Sequence, residues 1–218
     1  MTDALVLTLE VAVLASLVAG LTALAVVLLT QGRWFTPLLD AVLTAPLVLP
    51  PTVLGFYLLT LLGRRSALGG AFESVFGGPL VFTTTAAVIA ATVTAFPMIL
   101  QGMRSALDAV DGTLLDAART LGATRTSALL RVALPVASRG VASGVLLGFA
   151  RACGDFGVTL MLAGNIPGET RTASLAIYDA VLAGRDGEAL QLALVLGAFA
   201  VVTIVLVQWL GRRPHEPR

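Results

Sequence analysis

Asp116-Ala117-Ala118-Arg119-Thr120-Leu121-Gly122, followed further on by Leu134-Pro135, belongs to a polar insert over residues 104–135 of an otherwise strongly apolar chain. Leu114, Leu115, Ala118 and Leu121 recur at helical spacing, as do Ala128, Leu129 and Val132. That periodicity predicts two short amphipathic helices. Gly122 stands between them, where a helix can end and turn. Pro135 marks the start of the next apolar span, because proline is tolerated in a helix's first turn. An insert of this kind either lies on the lipid surface or is gripped by a protein outside the membrane. Ala117 and Ala118 allow close approach of such a partner, and Asp116 and Arg119 offer polar contacts at its rim.

Composition places the rest of the chain in a bilayer. Apolar residues are 57% and charged residues 12%, against about 25% charged in an ordinary soluble domain. Mean hydropathy is +0.93. The 218 residues suit one transmembrane domain over 1–218, with loops over 30–40, 63–79 and 163–188 and the longest over 104–135. All 14 basic residues are arginine, and the net charge of +1 points to no nucleic acid or acidic partner. Cys153, the single cysteine, excludes an intrachain disulfide. His215, the single histidine, sits in the polar tail, so neither a metal site nor a cofactor is expected. The first apolar run is too long for a cleavable signal and lacks a basic leader.

A spanning helix needs about 20 predominantly apolar residues. Five runs qualify, over residues 4–29, 41–62, 80–103, 136–162 and 189–210. They are continuous rather than alternating, which excludes a membrane β-barrel. The expected fold is therefore all-α and polytopic, with about five spans. Arginine counts orient it. Placing the C-terminus inside puts nine loop arginines on the inner side and four (Arg64, Arg65, Arg171, Arg185) on the outer. The N-terminus is then outside and the 104–135 loop cytoplasmic.

Four features stand out within the spans. Pro46, Pro50 and Pro51 remove backbone donors from the second and kink or unwind it. Irregular backbone survives at membrane depth only where protein packs it or a cavity borders it, and a simple kink and a path-lining break remain equally open. Arg151 and Asp155 lie four apart in the fourth span, on one helical face, where they can pair within the helix. Intramembrane charges are functional candidates by default; the pair is a structural or gating element, a substrate contact, or a sign that the span is shifted and the charges sit near an interface. Glu10 is placed near the outer interface of the first span, where it can snorkel. Gly144 and Gly148 form a small-xxx-small motif for close helix packing, potentially at a dimer seam.

No enzyme site emerges. There is no Gly-rich phosphate loop ending in Lys-Ser/Thr, and no nucleophile elbow or zinc-protease helix. A secondary transporter would carry more spans, often as inverted repeats, and no repeat is visible.

Asp116-Ala117-Ala118, Gly122 and Leu134-Pro135 resemble the EAA motif of ABC importer permeases, with Asp116 in place of the usual glutamate. The resemblance implies a type I permease fold. It also implies coupling residues Asp116, Ala117, Ala118, Arg119, Leu121, Gly122, Leu134 and Pro135, seated as two short helices on a cytoplasmic ATPase. Such a permease pairs with a second copy of itself over two ATPases, and an extracytoplasmic binding protein delivers the substrate. The Pro46–Gly55 stretch, Phe149–Gly157 and Gly164-Asn165-Ile166-Pro167-Gly168-Glu169-Thr170-Arg171-Thr172 are similar to molybdate permeases, with sulfate and tungstate permeases as near relatives. That similarity implies an inner-membrane oxyanion importer. Its path or gate would draw on Pro46, Pro50, Pro51, Arg151 and Asp155, and its binding-protein contacts on Asn165, Glu169 and Arg171.

Overall fold

The structure, a computed structural model, describes residues 2–30, 33 and 35–211. His215 and the tail arginines expected inside lie beyond these residues. All elements described are helices: α1 (Thr2–Thr30), α2 (Thr36–Thr44), α3 (Pro51–Leu62), α4 (Ala67–Phe76), α5 (Thr84–Asp108), α6 (Gly112–Thr120), α7 (Arg125–Ala128), α8 (Leu134–Val136), α9 (Ser138–Cys153), α10 (Gly157–Ala163), α11 (Ala173–Leu182) and α12 (Asp186–Gly211). A 3-10 turn (Ala45–Leu47) follows α2, and a π-helical turn (Leu129–Ala133) joins α7 to α8.

Small side chains build the core. On α1, Ala12, Ala15, Ala19 and Ala23 form a fully buried stripe, and α5 faces it with Ala86, Ala87, Ala90, Ala91 and Ala95. Lipid tails are as apolar as leucine, so helices gain little by hiding leucines from them; close backbone packing supplies the attraction instead. The contact between α5 and α9 goes further, with Gly102 set against Gly144 so closely that a Cβ on Gly102 would sit 2.6 Å from the Gly144 Cα. Gly148 likewise lies under the Ile99 side chain. The small-xxx-small motif thus packs α9 onto α5 of its own chain rather than at a dimer seam. Two buried hydroxyls of α1 and α5 are satisfied within their helices: Ser16 donates to the Ala12 carbonyl at 2.7 Å and Thr94 to that of Ala91 at 3.1 Å.

Three expected spans are single helices, α1, α5 and α12, each long and apolar enough to cross a membrane. The other two are broken. In the second, Thr36–Leu47 and Pro51–Leu62 meet at 106°, because Pro46, Pro50 and Pro51 leave the junction without the donors a continuous helix needs. In the fourth, the continuous helix expected over 136–162 is absent. The segment bends by 78° between Arg125–Val136 and Ser138–Cys153, and the helix stops at Cys153 before resuming at Gly157. Two expected loops carry helices. Ser66 caps α4 by accepting the Gly69 N–H at 2.9 Å, and Gly77, at φ 75°, ends it; α11 occupies much of the 163–188 stretch.

At the end of the bundle that carries the polar insert, Arg104 of α5 ties three elements together. Its Nε lies 2.6 Å from an Asp40 carboxylate oxygen of α2. Its Nη2 donates to Asp40 at 2.8 Å and to the Thr30 hydroxyl, at the end of α1, at 2.6 Å. At the opposite end, the Ala173 N–H of α11 donates to Thr8 of α1, and the Phe82 N–H to the Leu162 carbonyl. Glu10 is exposed on α1 among Val6, Leu9, Val13 and Leu14.

Replacing Gly102 by valine should lower the melting temperature in detergent sharply, by the equivalent of about 3 kcal/mol or more, because the obstruction is backbone that cannot rotate away. Gly197→Ala on α12, where nothing lies within 4 Å, should leave it unchanged or slightly raised.

Candidate functional site

The insert is a helix, a tight reversal and a bent second helix. Asp111 starts α6 by accepting the Thr113 N–H at 2.9 Å. That backbone bond, with one from the Thr113 hydroxyl, holds the Asp111 carboxyl below its usual range. The end of α6 is closed by two backbone bonds, Gly122 N–H to the Arg119 carbonyl at 2.9 Å and Ala123 N–H to that of Ala118 at 3.0 Å. This double closure is the Schellman arrangement. It needs the left-handed conformation Gly122 adopts, φ 88°, which costs other residues about 1–2 kcal/mol. Nothing crowds Gly122, so the demand for glycine there is conformational.

The expected single apolar face on α6 splits in two. Leu115 and Ala118 turn inward, while Leu114, Ala117 and Leu121 are exposed. Leu121 is 89% exposed, an apolar side chain held out on a rigid turn. Asp116 and Arg119 are also exposed and form a loose pair at 3.4 Å. Thr124 caps α7 by accepting the Ser127 N–H at 3.2 Å. Beyond it the π turn leads to Leu134, half-buried, and Pro135, exposed. Pro135 does not open the span as expected: α8 continues to Val136, the bend falls at Ala137, and the span starts at Ser138.

The two broken spans meet each other. A Cβ on Gly157, the first residue of α10, would lie 2.8 Å from the Pro51 side chain, the first residue of α3; one on Gly55 would lie 2.7 Å from Met161. Pro50 and Pro51 therefore sit at a packed junction of two interruptions, with Pro46 one turn earlier in the 3-10 turn. Beside it lies the Arg151–Asp155 pair, at 3.1 Å. The pair forms, yet not within a helix as expected, since Asp155 lies past the end of α9. Its side chain is 2% exposed against 33% for Arg151. One oxygen takes the Arg151 Nη1; the other accepts the Thr159 N–H at 3.0 Å and hydroxyl at 2.6 Å. Asp155 thereby caps α10 and pins it to α9. The contacts of Gly55 and Gly157 and the role of Thr159 escaped the sequence reading, although an aspartate between Gly154 and Gly157 is a helix-restart signal.

At the opposite end, Arg171 is committed to its own loop. Its Nε donates to Asn165 at 2.8 Å and its Nη1 to Asp179 at 3.1 Å; Asp179 also receives Arg185. Glu169 is exposed, its carbonyl accepting the Thr84 hydroxyl at 3.0 Å. The pairing of Asp179 with Arg171 and Arg185 escaped the sequence reading, which used Arg185 only in the arginine count, because nothing local marks a pairing across helices.

A helical bundle with paired broken spans and a protruding two-helix insert defines a membrane permease of the type I ABC importer class. The chain belongs to the binding-protein-dependent transport system inner membrane component family, which it matches over residues 12–216. It is 41% identical over 180 residues to the molybdenum transport system permease protein ModB of Escherichia coli (strain K12), covering 82% of this chain and 79% of that one. Against ModB of Haemophilus influenzae the identity is 36%, with the same coverage. A solved structure described as an amino acid ABC transporter with histidines superposes with a TM-score of 0.62 at 16% identity, over 96% of this chain and 90% of its own, a likeness of fold.

Asp155→Ala should cost about 3 kcal/mol in detergent melting, since it strands a buried Thr159 N–H and an arginine together. Exchanging the two residues, Arg151→Asp with Asp155→Arg, should fail to restore stability, because Thr159 needs an acceptor at position 155. Full recovery by the exchange would show that the charge pair alone matters.

Proposed function

We propose that the chain is the permease subunit of an ATP-driven molybdate importer, present as two copies over two cytoplasmic ATPases, with its N-terminus outside and its C-terminus inside. The observation that carries the coupling role is α6 closed on Gly122 with Leu121 and Ala117 exposed. In water such a rigid apolar projection is stable but unsatisfied, and it suits a groove on a partner. Asp116 and Arg119 meet the rim of that groove, and Leu134 and Pro135 pass the motion on to α9. The ATPase supplies the energy, as the chain has no phosphate loop of its own. The molybdate assignment is supported by the curated relatives named above and by the Asn165–Thr172 run.

On the outer side an oxyanion-binding protein docks over the loops around α4 and α11. Glu169 is the exposed contact in this reading, while Asn165 and Arg171 shape the loop that presents it. ATP closure draws α6–α8 together and opens the path outward at the paired breaks. Hydrolysis returns the path to the cytoplasm. The permease holds the anion weakly, since tight binding would slow release.

Reconstituted permease, ATPase and binding protein should take up labelled molybdate on ATP addition, resisting excess sulfate and yielding to tungstate. Competition by sulfate would move the substrate to the sulfate class. Gly122→Pro, which cannot reach φ 88°, and Ala118→Arg should both abolish uptake while the permease stays in the membrane. Normal coupled uptake in both variants would refute the docking role of α6.

A further inference from the structure

An apolar helix of about ten residues is too short to cross a bilayer and belongs either in a protein core or at the lipid surface. Two helices of this kind lie outside the spans, α4 and α11. α11 is a core helix, burying Ala173, Leu175 and Ala180, whereas α4 buries only Gly69. It sits between the end of α3 and the start of α5, at the end of the bundle opposite the insert.

The backbone of α4 is fixed to the end of α3, and its apolar side is left uncovered. Ser66 caps the first turn, and Arg64 pairs with Glu73 at 3.0 Å. Gly69 lies so close to the carbonyls of Leu62 and Gly63 that a Cβ there would collide with them. Ala71, Val75, Leu68, Phe72 and Phe76 fall within about 140° of the helix circumference, opposite Gly70, Glu73 and Ser74. Val75 is 73% and Phe76 71% exposed, and the Phe72 ring stacks on Phe76 with centroids 4.4 Å apart. The helix is therefore held firmly while presenting a bare apolar arc.

Lipid is the occupant that fits this arc. Through the turn at 63–66 the arc continues the apolar surface of α3, where Phe56, Tyr57 and Leu61 are exposed on a spanning segment. The same turn carries two of the arginines that count against the orientation of the chain. Arg64 is neutralised by Glu73. Arg65 is exposed and has no ion-pair partner among the described residues, at the end of a span, where lipid phosphates begin. A basic residue beside an apolar arc of Phe and Leu is the pattern of a helix lying in the interface.

We propose that α4 is a membrane-surface anchor. It lies in the boundary between headgroups and acyl chains, with Leu68, Phe72, Val75 and Phe76 immersed, Glu73 and Ser74 toward water, and Arg65 against phosphate. It thereby holds the outer end of the second broken span at the lipid surface. This placement needs only a bilayer, so it stands or falls separately from the importer reading.

Tryptophan fluorescence in vesicles tests it. The native tryptophans, Trp34 and Trp209, are replaced by phenylalanine in the full-length permease. Single probes are then introduced as Phe76→Trp and Leu68→Trp on the arc and Ser74→Trp on the opposite face. The vesicles are phosphatidylcholine with phosphatidylglycerol. Chains brominated just below the headgroup should quench both arc probes about threefold more than chains brominated at the methyl end, as a depth of about 5–10 Å requires. Aqueous iodide should reach the arc probes little and Ser74→Trp strongly. Equal iodide quenching of Phe76→Trp and Ser74→Trp would put the arc in water and overturn the anchor. Protection of both arc probes from lipid and iodide alike would mean that protein, such as a second copy, covers the arc, and would overturn it equally.

Discussion

Inside a bilayer no water is at hand to satisfy a backbone group freed from its helix, and each such group left alone costs several kcal/mol. That constraint governs this chain, because two of its five spans are interrupted. The solution is to place one interruption on the other: Pro51 against Gly157, Gly55 against Met161. Proline removes the donor that would otherwise be orphaned, and glycine removes the side chain that would hold the partner away. Asp155 completes the junction by accepting the otherwise unpaired, buried Thr159 N–H. Without that acceptor the restart of α10 would leave a donor buried, and without the two glycines the breaks could not approach.

The remaining packing follows from the same need for proximity. Stripes of alanine on α1 and α5, and glycine pairs between α5 and α9, bring backbones close enough for dispersion to hold helices that lipid does not push together. Arg104, bound to Asp40 and Thr30, fixes the insert end of α1, α2 and α5 as one unit. The frame is therefore rigid where alanines and glycines interlock. Its joints lie at Gly122, Ala137 and the 154–156 break.

Periodicity and length made the three straight helices legible, because α1, α5 and α12 are long apolar runs without internal punctuation. The α6–Gly122–α7 hairpin was equally legible, since a glycine between two amphipathic segments has few other readings. The 136–162 run was misread as one helix because its interruption carries no proline; Gly154 and Gly157 are common enough in membrane helices to pass unnoticed. The bend at Ala137 also escaped, because Pro135, two residues before it, reads equally well as the start of the span. Pairings that join distant elements, such as Arg104 with Asp40 and Arg171 with Asp179, could not be read at all. They depend on which helices become neighbours, which local pattern does not state.

The placement of the joints gives α9 a particular mechanical character. It is a 16-residue helix, about 24 Å long, bounded by the 78° bend at one end and by the Asp155 junction at the other. Its glycines seat it on α5, with Gly144 against the Gly102 backbone, Gly140 against Ala106 and Gly148 under Ile99, so it is held as one stiff piece. In the proposed importer, a pull on α6–α8 therefore reaches the break as motion of a rod rather than as bending dispersed along a helix. At the far end the rod acts on Arg151 and Asp155, whose partners sit on different sides of the break. Small displacements there alter a charge pair and a helix cap together. In the proposed importer, alternating access switches at this junction, where the two interrupted spans already have to touch.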